Sequence, residues 1–267
     1  MVWVTLLLAA VVFAPTAALL YDEYTASIWT NTHGLFVPLA VVYLGVAILR
    51  RETNREEESS AWGFLPIVMG LALVVLDSGA RTAVLGALGI AISLPGFSLL
   101  LLGARRTRAL ALPLFLAFFL VPLHPAHLAD LFYFQTGTAA GMVPLLESLG
   151  LPVFREGTVL TLPQDVFGIS ANCSGYPTFY GVMGVAVVFA AYSRSRLRAV
   201  LLLLAPWPLT LLANILRSST LVALCAHRGI GFLDTPFHGV SGIAAFWLAL
   251  GGLLLMADWP TLRKSLA

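Results

Sequence analysis

Charged residues are scarce in this sequence: Asp, Glu, Lys and Arg make up only 10% of its 267 residues. The net charge is +2, and the basic residues are spread between apolar runs instead of being clustered with aromatic residues. We therefore expect no nucleic-acid partner, because binding nucleic acid requires a concentrated basic surface. No long polar stretch is left for a separate soluble domain, so a single membrane domain is expected over residues 1–267.

Cysteine is also rare, since Cys173 and Cys225 are the only two in the chain. Two cysteines in different contexts do not form a disulfide framework. Cys225 lies within an apolar run and is predicted to be a small buried hydrophobic residue. Cys173 lies where a polar segment returns to an apolar run, which makes it the better candidate for a reactive thiol.

Apolar residues dominate the composition, at 59% of the chain with a mean hydropathy of +0.92. Such values are typical of integral membrane proteins. The sequence predicts an all-α polytopic fold with about eight transmembrane helices. The first run lacks a basic leading region and a clear cleavage site, so we expect a retained span and not a signal peptide. The eight apolar runs are residues 3–20, 35–49, 61–76, 82–103, 109–123, 176–192, 199–226 and 239–257.

Charge placement predicts that both termini are cytoplasmic. With eight crossings, eleven basic residues fall in cytoplasmic connectors, three fall outside, and Arg217 lies within the membrane. This asymmetry agrees with the positive-inside rule and would collapse if one short run failed to cross. The cytoplasmic set is Arg50, Arg51, Arg55, Arg105, Arg106, Arg108, Arg194, Arg196, Arg198, Arg263 and Lys264, and the outer set is Arg81, Arg155 and Arg228.

The longest segment on the outer side, residues 124–172, is predicted to form an ordered extracytoplasmic cap. Residues 128–149 are moderately apolar with interspersed polar groups, which favours a helix lying along or dipping into the outer interface. Residues 153–163 alternate β-branched and polar residues around a Glu-Gly turn, which is typical of a small hairpin.

Cys173 is predicted to lie at a helix N-terminus. Ser174 is a natural N-cap, and Pro177 is tolerated in a first helical turn. The helix dipole and free N–H groups at such a position favour a thiolate and can also bind an oxyanion. The polar neighbours Asn172 and Ser174 favour this interpretation over that of a buried structural cysteine.

Arg217 and His238 are predicted to reach the same membrane surface as Cys173. Eighteen residues separate Arg217 from the start of its run at Ala199, which corresponds to roughly 27 Å of helix in a core of about 30 Å. An arginine inside a membrane segment is costly and is usually functional or paired. Asn214 shares its helical face, and His238 opens the last run. Three consecutive spans would therefore bring thiol, guanidinium and imidazole together.

Three other histidines compete with His238 for the role of base, because His33, His124 and His127 are also expected outside. A metal site built from several of these histidines is the alternative to an acid/base role. We expect no metal, because the spacing around Pro125 is poor for a helical pair of ligands and no carboxylate is matched to them. No cofactor is expected either.

The sequence resembles the exosortase/archaeosortase group of membrane cysteine enzymes. The resemblance extends in order over nearly the whole chain, and the presence of His238 favours a bacterial exosortase. Tyr176 and Pro177 depart from it, since many relatives carry Leu-Arg after Cys-Ser-Gly. The matching motifs are Thr32-His-Gly-Leu-Phe-Val-Pro38, Gly150-Leu-Pro-Val-Phe-Arg-Glu-Gly157, Ala171-Asn-Cys-Ser-Gly175, Asn214-Ile-Leu-Arg217 and His238.

The resemblance implies a cysteine protease and transpeptidase of the cytoplasmic membrane whose site faces the exterior. Its substrates would be exported proteins with a C-terminal signal of the PEP-CTERM kind: a short Pro-Glu-Pro-like motif, a transmembrane helix and a basic tail. By the same resemblance Cys173 is the nucleophile, Arg217 stabilises the transition state and His238 is the acid/base. Asn172, Ser174, Asn214 and His33 would support them.

Two other kinds of membrane protein would also use these residues. A transporter or channel would line an anion or proton path with Arg217 and His238, although the two halves of the sequence show no repeat of the kind common in transporters. An enzyme that modifies lipids or acyl groups would use a histidine base. A membrane scaffold would leave the shared depth of the polar residues unexplained.

Overall fold

The computed structural model describes residues 2–26, 33–51, 59–122, 131–170 and 173–258. These residues are mostly helical, with three short strands and short 3-10 turns. The helices are α1 (Val2–Ala26), α2 (His33–Arg51), α3 (Phe64–Ala80), α4 (Val84–Ala109), α5 (Ala111–Leu116), α6 (Leu131–Ser148), α7 (Tyr176–Ala191), α8 (Arg196–Leu204), α9 (Pro206–Arg228) and α10 (Phe237–Met256). The strands are β1 (Phe154–Glu156), β2 (Val159–Thr161) and β3 (Val166–Gly168).

The chain divides into two compact units, Met1–Leu123 and His124–Ala267. The first unit contains α1 to α5, and the second contains α6 to α10 and the strands. The boundary coincides with the predicted start of the cap at residue 124. That the whole chain forms a single membrane domain stays a prediction.

The first unit is built around the close pairing of α3 and α4. A Cβ added to Gly96 would lie 2.6 Å from the carbonyl oxygen of Gly63, in the turn before α3, so the two backbones approach within a distance that only glycine permits. Gly70 and Gly89 repeat this contact further along the pair. Gly103 has non-helical backbone angles and interrupts α4, where the fourth apolar run ends.

A buried acidic residue closes the turn between α3 and α4. Asp77 is 2% exposed, and its Oδ1 accepts hydrogen bonds from the backbone N–H of Thr82 at 3.1 Å and from the Thr82 hydroxyl at 2.5 Å. The Asp77 carbonyl accepts a further bond from the N–H of Arg81. The hydrogen bonds of Asp77 are therefore all made to residues that follow it closely in sequence.

The second unit has a core bundle of α7, α8, α9 and α10. α9 and α10 pack antiparallel, because Gly242 lies against Arg217 while Gly252 lies against Leu209. An ion pair of 3.0 Å joins Arg198, near the start of α8, to Asp258, just beyond α10. The start of α8 and the end of α10 thus lie at one end of the bundle, and the N-terminus of α10 lies at the other.

The strands of the cap pack on the C-terminal half of α9. β1 and β2 form the predicted hairpin, with Glu156 opposite Val159, and this prediction is confirmed. The sheet also has a third strand, β3, which pairs with β2 and was not predicted. Leu160 and Phe167 of the sheet are buried in a core cluster with Val222 and Cys225 of α9. Cys225 is fully buried, as predicted.

Helix α6 agrees with the predicted cap helix, but it runs lengthwise along α9. Gly137 contacts Leu211 of α9, and Gly141, one turn later, contacts Ile215 of α9. The contacts advance together along both helices, so the two run in the same direction. A helix packed this way is inclined like α9 and dips into the membrane if α9 crosses it.

Five of the described helical segments are long and apolar enough to cross a membrane. The helix formed by α5 and the 3-10 turn after it (Ala111–Leu120) and helix α7 are shorter. The protein is a multi-pass membrane protein, and the count of eight crossings and the cytoplasmic termini stay predictions. The five segments are Leu7–Thr25, Ala61–Ala80, Val84–Ala109, Arg196–Arg228 and Phe237–Met256.

Candidate functional site

Cys173 lies just before α7, but the capping of this helix differs from the prediction. The N-cap residue is Gly175, with a left-handed φ of 88°, so the prediction that Ser174 is the N-cap is wrong. The Ser174 side chain is one position earlier, where its hydroxyl accepts a hydrogen bond from the N–H of Tyr176 at 3.2 Å. Pro177 lies in the first turn, as predicted, because its missing N–H costs nothing there.

The close approach of α9 explains why glycine occupies the N-cap. A Cβ on Gly175 would lie 2.8 Å from the Cβ of Asn214, which no real structure tolerates without a shift. The left-handed backbone is also costly for any residue with a side chain. A serine cap at position 175 would meet both obstacles.

The Cys173 thiol lies beside the imidazole of His238. Sγ and Nε2 are 3.5 Å apart, within hydrogen-bond distance for sulfur. Both side chains are partly exposed. His238 is the second residue of α10, after the N-cap Pro236. Of the described residues, none makes a hydrogen bond to Nδ1 of His238, so the imidazole is held by its backbone and by the thiol.

Arg217 is anchored to the first turn of α10. Its Nη2 donates to the backbone carbonyl of His238 and its Nε donates to the hydroxyl of Ser241, each at 3.4 Å. The Ser241 hydroxyl in turn donates to the same His238 carbonyl at 2.8 Å. Within the described part of the chain, Nη1 of Arg217 has no partner and the guanidinium has no carboxylate in ion-pair range.

Cys173 and His238 lie at the starts of α7 and α10, and Arg217 meets them from the middle of α9. From Arg196 to Arg217 the α8–α9 segment rises roughly 30 Å, about the thickness of a bilayer core. Eleven further residues continue to Arg228 and carry α9 roughly 16 Å beyond the site. The cap packs on this extension, so the site lies between the bundle and the cap.

A buried polar network holds the turn that carries Cys173. The amide nitrogen of Asn214 donates to the Cys173 carbonyl at 2.9 Å and to the hydroxyl of Thr138 at 3.0 Å. The Thr138 hydroxyl donates to the Ser174 carbonyl at 3.3 Å. Asn214 was predicted as a supporting residue, whereas Thr138 of α6 was not, because a single threonine in a moderately apolar segment gives no signal in the sequence.

The structure does not describe the side chains of four other residues considered in the sequence analysis. Asn172, His124 and His127 lie outside the described residues. His33 begins α2 in the first unit, and its side chain is also outside the description. No group of three side chains suited to a metal ion occurs among the described residues.

A cavity of about 170 Å³ lies elsewhere, between the cap sheet and the end of α9. It contains neither Cys173, Arg217 nor His238. Its lining is Leu151, Pro152, Leu162, Pro163, Gln164, Asp165, Phe167, Ala226 and His227. His227 therefore lies in the same unit as His238 but outside the Cys173 cluster, which makes it a control for substitutions of His238.

Comparison with protein families agrees with the resemblance seen in the motifs. The family model described as transmembrane exosortase matches residues 26–255, which is most of the chain and includes every residue of the cluster. No curated protein and no solved structure matches the chain. Members of this family are membrane-bound enzymes that process sorting signals. On the extent of this match, the chain belongs to the transmembrane exosortase family.

Proposed function

We propose that this protein is a cysteine protease and transpeptidase that cleaves C-terminal sorting signals of exported proteins at the outer face of the cytoplasmic membrane. The observation that carries the proposal is the 3.5 Å contact between Sγ of Cys173 and Nε2 of His238. A thiol within reach of an imidazole is the minimal arrangement of a cysteine nucleophile with its base. Cys173 is also partly exposed, which a nucleophile requires.

In the first half of the reaction, the proton of Cys173 passes to Nε2 of His238, and sulfur attacks the carbonyl carbon of the scissile peptide. The electron pair of the C=O bond moves to oxygen. When this oxyanion collapses, the C–N bond breaks, and His238 returns its proton to the leaving amine. The C-terminal segment of the substrate departs, and a thioester with Cys173 remains.

In the second half, a nucleophile attacks the thioester carbon and gives its proton to His238. The C–S bond breaks, and the proton returns to the sulfur of Cys173. If the nucleophile is water, the product is a free carboxylate. If it is an amine of an envelope acceptor, a new amide bond attaches the substrate to that acceptor, which is transpeptidation; a hydroxyl would attach it through an ester.

Arg217 and the start of α7 supply positive charge for the oxyanion. Nη1 of Arg217 and the N–H of Gly175 have no hydrogen-bond partner among the described residues, so both remain available as donors. The anchoring of Arg217 to α10 holds the guanidinium before the charge develops. Donors that are already in place lower the barrier most effectively.

The substrate class is the one that the family resemblance implies, and the position of the site along the bundle supports it. The cluster lies about one bilayer thickness from the end of the bundle that carries Arg196 and Asp258. A substrate with a transmembrane helix would present the residues just outside its helix at this level. A motif-helix-basic tail signal of the PEP-CTERM kind meets this requirement, and its basic tail suits a cytoplasmic end.

The direct test compares Cys173→Ala and Cys173→Ser with the control Cys225→Ala. The chain would be co-expressed with a tagged protein bearing such a signal, and the new C-terminus would be identified by mass spectrometry. We expect both Cys173 variants to accumulate at normal levels without processing, because alanine has no nucleophile and serine is far weaker. Cys225→Ala should process normally. Full processing by Cys173→Ala would refute the proposed nucleophile.

A second test uses the thiol alone and needs no substrate. A charged maleimide that does not cross membranes would be applied to the outside of intact cells or spheroplasts. We expect fast labelling of Cys173 and none of the buried Cys225. Labelling of Cys173 only after permeabilisation would contradict an outward-facing site.

A further inference from the structure

We propose that Thr138 of α6 is a positioning residue for the nucleophile, an assignment that rests on the proposed function of Cys173. The Thr138 hydroxyl reaches from the cap helix to the turn that carries the thiol, where it bonds to the Ser174 carbonyl. Gln135, one turn earlier in α6, bonds instead to the carbonyl of Ile169. Thr138 does not touch the substrate in this proposal and acts through the backbone of residues 173 and 174.

The two carbonyls of the turn are held by two linked side chains. Asn214 donates one hydrogen bond to the Cys173 carbonyl and one to the hydroxyl oxygen of Thr138. The Thr138 hydroxyl in turn donates a hydrogen bond to the Ser174 carbonyl. Each peptide unit is planar, so fixing a carbonyl also fixes the N–H at the opposite side of that unit. The Thr138 bond thereby fixes the N–H of Gly175, the proposed oxyanion donor.

Burial makes these bonds matter. Thr138 and Ser174 are completely buried, and Asn214 is 2% exposed. Water cannot replace a lost partner in such a place, so the Ser174 carbonyl would turn towards another donor if the hydroxyl of Thr138 were removed. Rotation of that peptide unit would move the adjacent Cys173 away from His238. The backbone N–H of Cys173 is bonded to the Ser170 carbonyl at 3.0 Å on the preceding side of the turn.

Thr210 provides a matched control in the same unit. It is also completely buried, but its hydroxyl donates to the Pro206 carbonyl of its own helix at 2.6 Å. Replacing it with valine removes a bond within α9 and none to the Cys173 turn. A general effect of removing a buried hydroxyl would appear in both threonines, whereas a positioning effect would appear in Thr138 alone.

The experiment measures the maleimide labelling rate of Cys173 as a function of pH in full-length protein carrying Cys225→Ala. The variants are Thr138→Val, which keeps the shape without the hydroxyl, Thr138→Ser, which keeps the hydroxyl, and Thr210→Val. We expect Thr138→Val to slow labelling near neutral pH by about 10- to 100-fold, the range typical of a misplacement of about 1 Å. Its pH-rate profile should resemble that of His238→Ala. Thr138→Ser and Thr210→Val should match the parent.

The outcomes are distinct even if Thr138→Val destabilises the protein. Thermal unfolding identifies the folded fraction, and Thr138→Ser restores the hydroxyl in any case. Parental labelling and an unchanged pH profile in folded Thr138→Val would overturn the proposal, as would an equal loss in Thr138→Ser. Because the assay follows the thiol and not substrate cleavage, these results are independent of whether Cys173→Ala abolishes processing.

Discussion

Each of the two units contains a buried polar cluster at the end of a helix. The two clusters differ in the sequence separation between their members. In the first unit, Asp77 is bonded to Thr82, five residues later. In the second unit, Asn214 is bonded to the Cys173 backbone and to Thr138, which are 41 and 76 residues away in sequence. The first cluster closes a turn, and the second brings three elements of one unit together.

The difference teaches how a structural polar group is distinguished from a functional one. Asp77 satisfies neighbouring donors, and every described bond of its carboxyl group is explained by the turn between α3 and α4. Among the described residues, the cluster around Cys173 leaves Nη1 of Arg217 without a partner and places a thiol beside an imidazole. Changes to the polar side chains of the second cluster should therefore alter chemistry, and changes in the first should alter stability alone.

The largest expected effect comes from His238→Ala, compared with His227→Ala. Loss of the base should slow substrate processing by about 10²- to 10⁴-fold, the usual contribution of a positioned acid/base group. His227 lines the separate cavity, so its substitution should leave processing unchanged. Processing would be followed by the appearance of the cleaved product over time. Equal losses in the two variants would remove the distinction between the cluster and the rest of the unit.

Arg217→Lys should be nearly as damaging. Arginine has a planar fork that bonds to α10 and leaves one nitrogen free as a donor, whereas lysine keeps only the charge. We therefore expect the processing rate to fall by about 10²- to 10³-fold, comparable to the loss of one oxyanion donor. Arg228→Lys is the control, because Arg228 is exposed and lies over the ring of Phe232 at 5.6 Å. Wild-type processing by Arg217→Lys would instead indicate that this arginine only extends towards lipid headgroups.

Gly175→Ala tests the backbone of the site. The left-handed φ and the contact with Asn214 should together cost about 3 kcal/mol of unfolding free energy. Gly168→Ala should cost much less, because a Cβ there meets nothing within 4 Å. Thermal unfolding in detergent would measure both. A Gly175→Ala protein as stable as Gly168→Ala would show that the turn accommodates the methyl group by moving.

Asp77→Asn should give the smallest effect, and on stability alone. The amide keeps one acceptor for Thr82 but is a weaker one, so we expect a loss of about 1 kcal/mol. The labelling rate of Cys173 should not change, since the Asp77 cluster contains only its own turn. An altered labelling rate in folded Asp77→Asn would break the separation between the two clusters.

The sequence predicted the helices well because membrane segments leave long apolar runs, and the shared depth of Cys173, Arg217 and His238 followed from helix rise and charge placement. Three features needed tertiary information. Gly175 replaces Ser174 as the N-cap because Asn214, far along the chain, approaches it. Strand β3 lies beyond the alternating pattern of residues 153–163 and is defined by its pairing with β2. Thr138 acquires its partners only when α6 lies along α9.

Arg217 holds the backbone carbonyl of His238 and not its ring. A main-chain carbonyl is present whichever amino acid occupies position 238, so exchanging the histidine leaves that anchor of the guanidinium in place. The two roles proposed for His238 and Arg217 are thus separable by mutation. A variant at position 238 should therefore test the proposed proton transfer while the guanidinium stays anchored to α10, and rescue by exogenous imidazole would support that role.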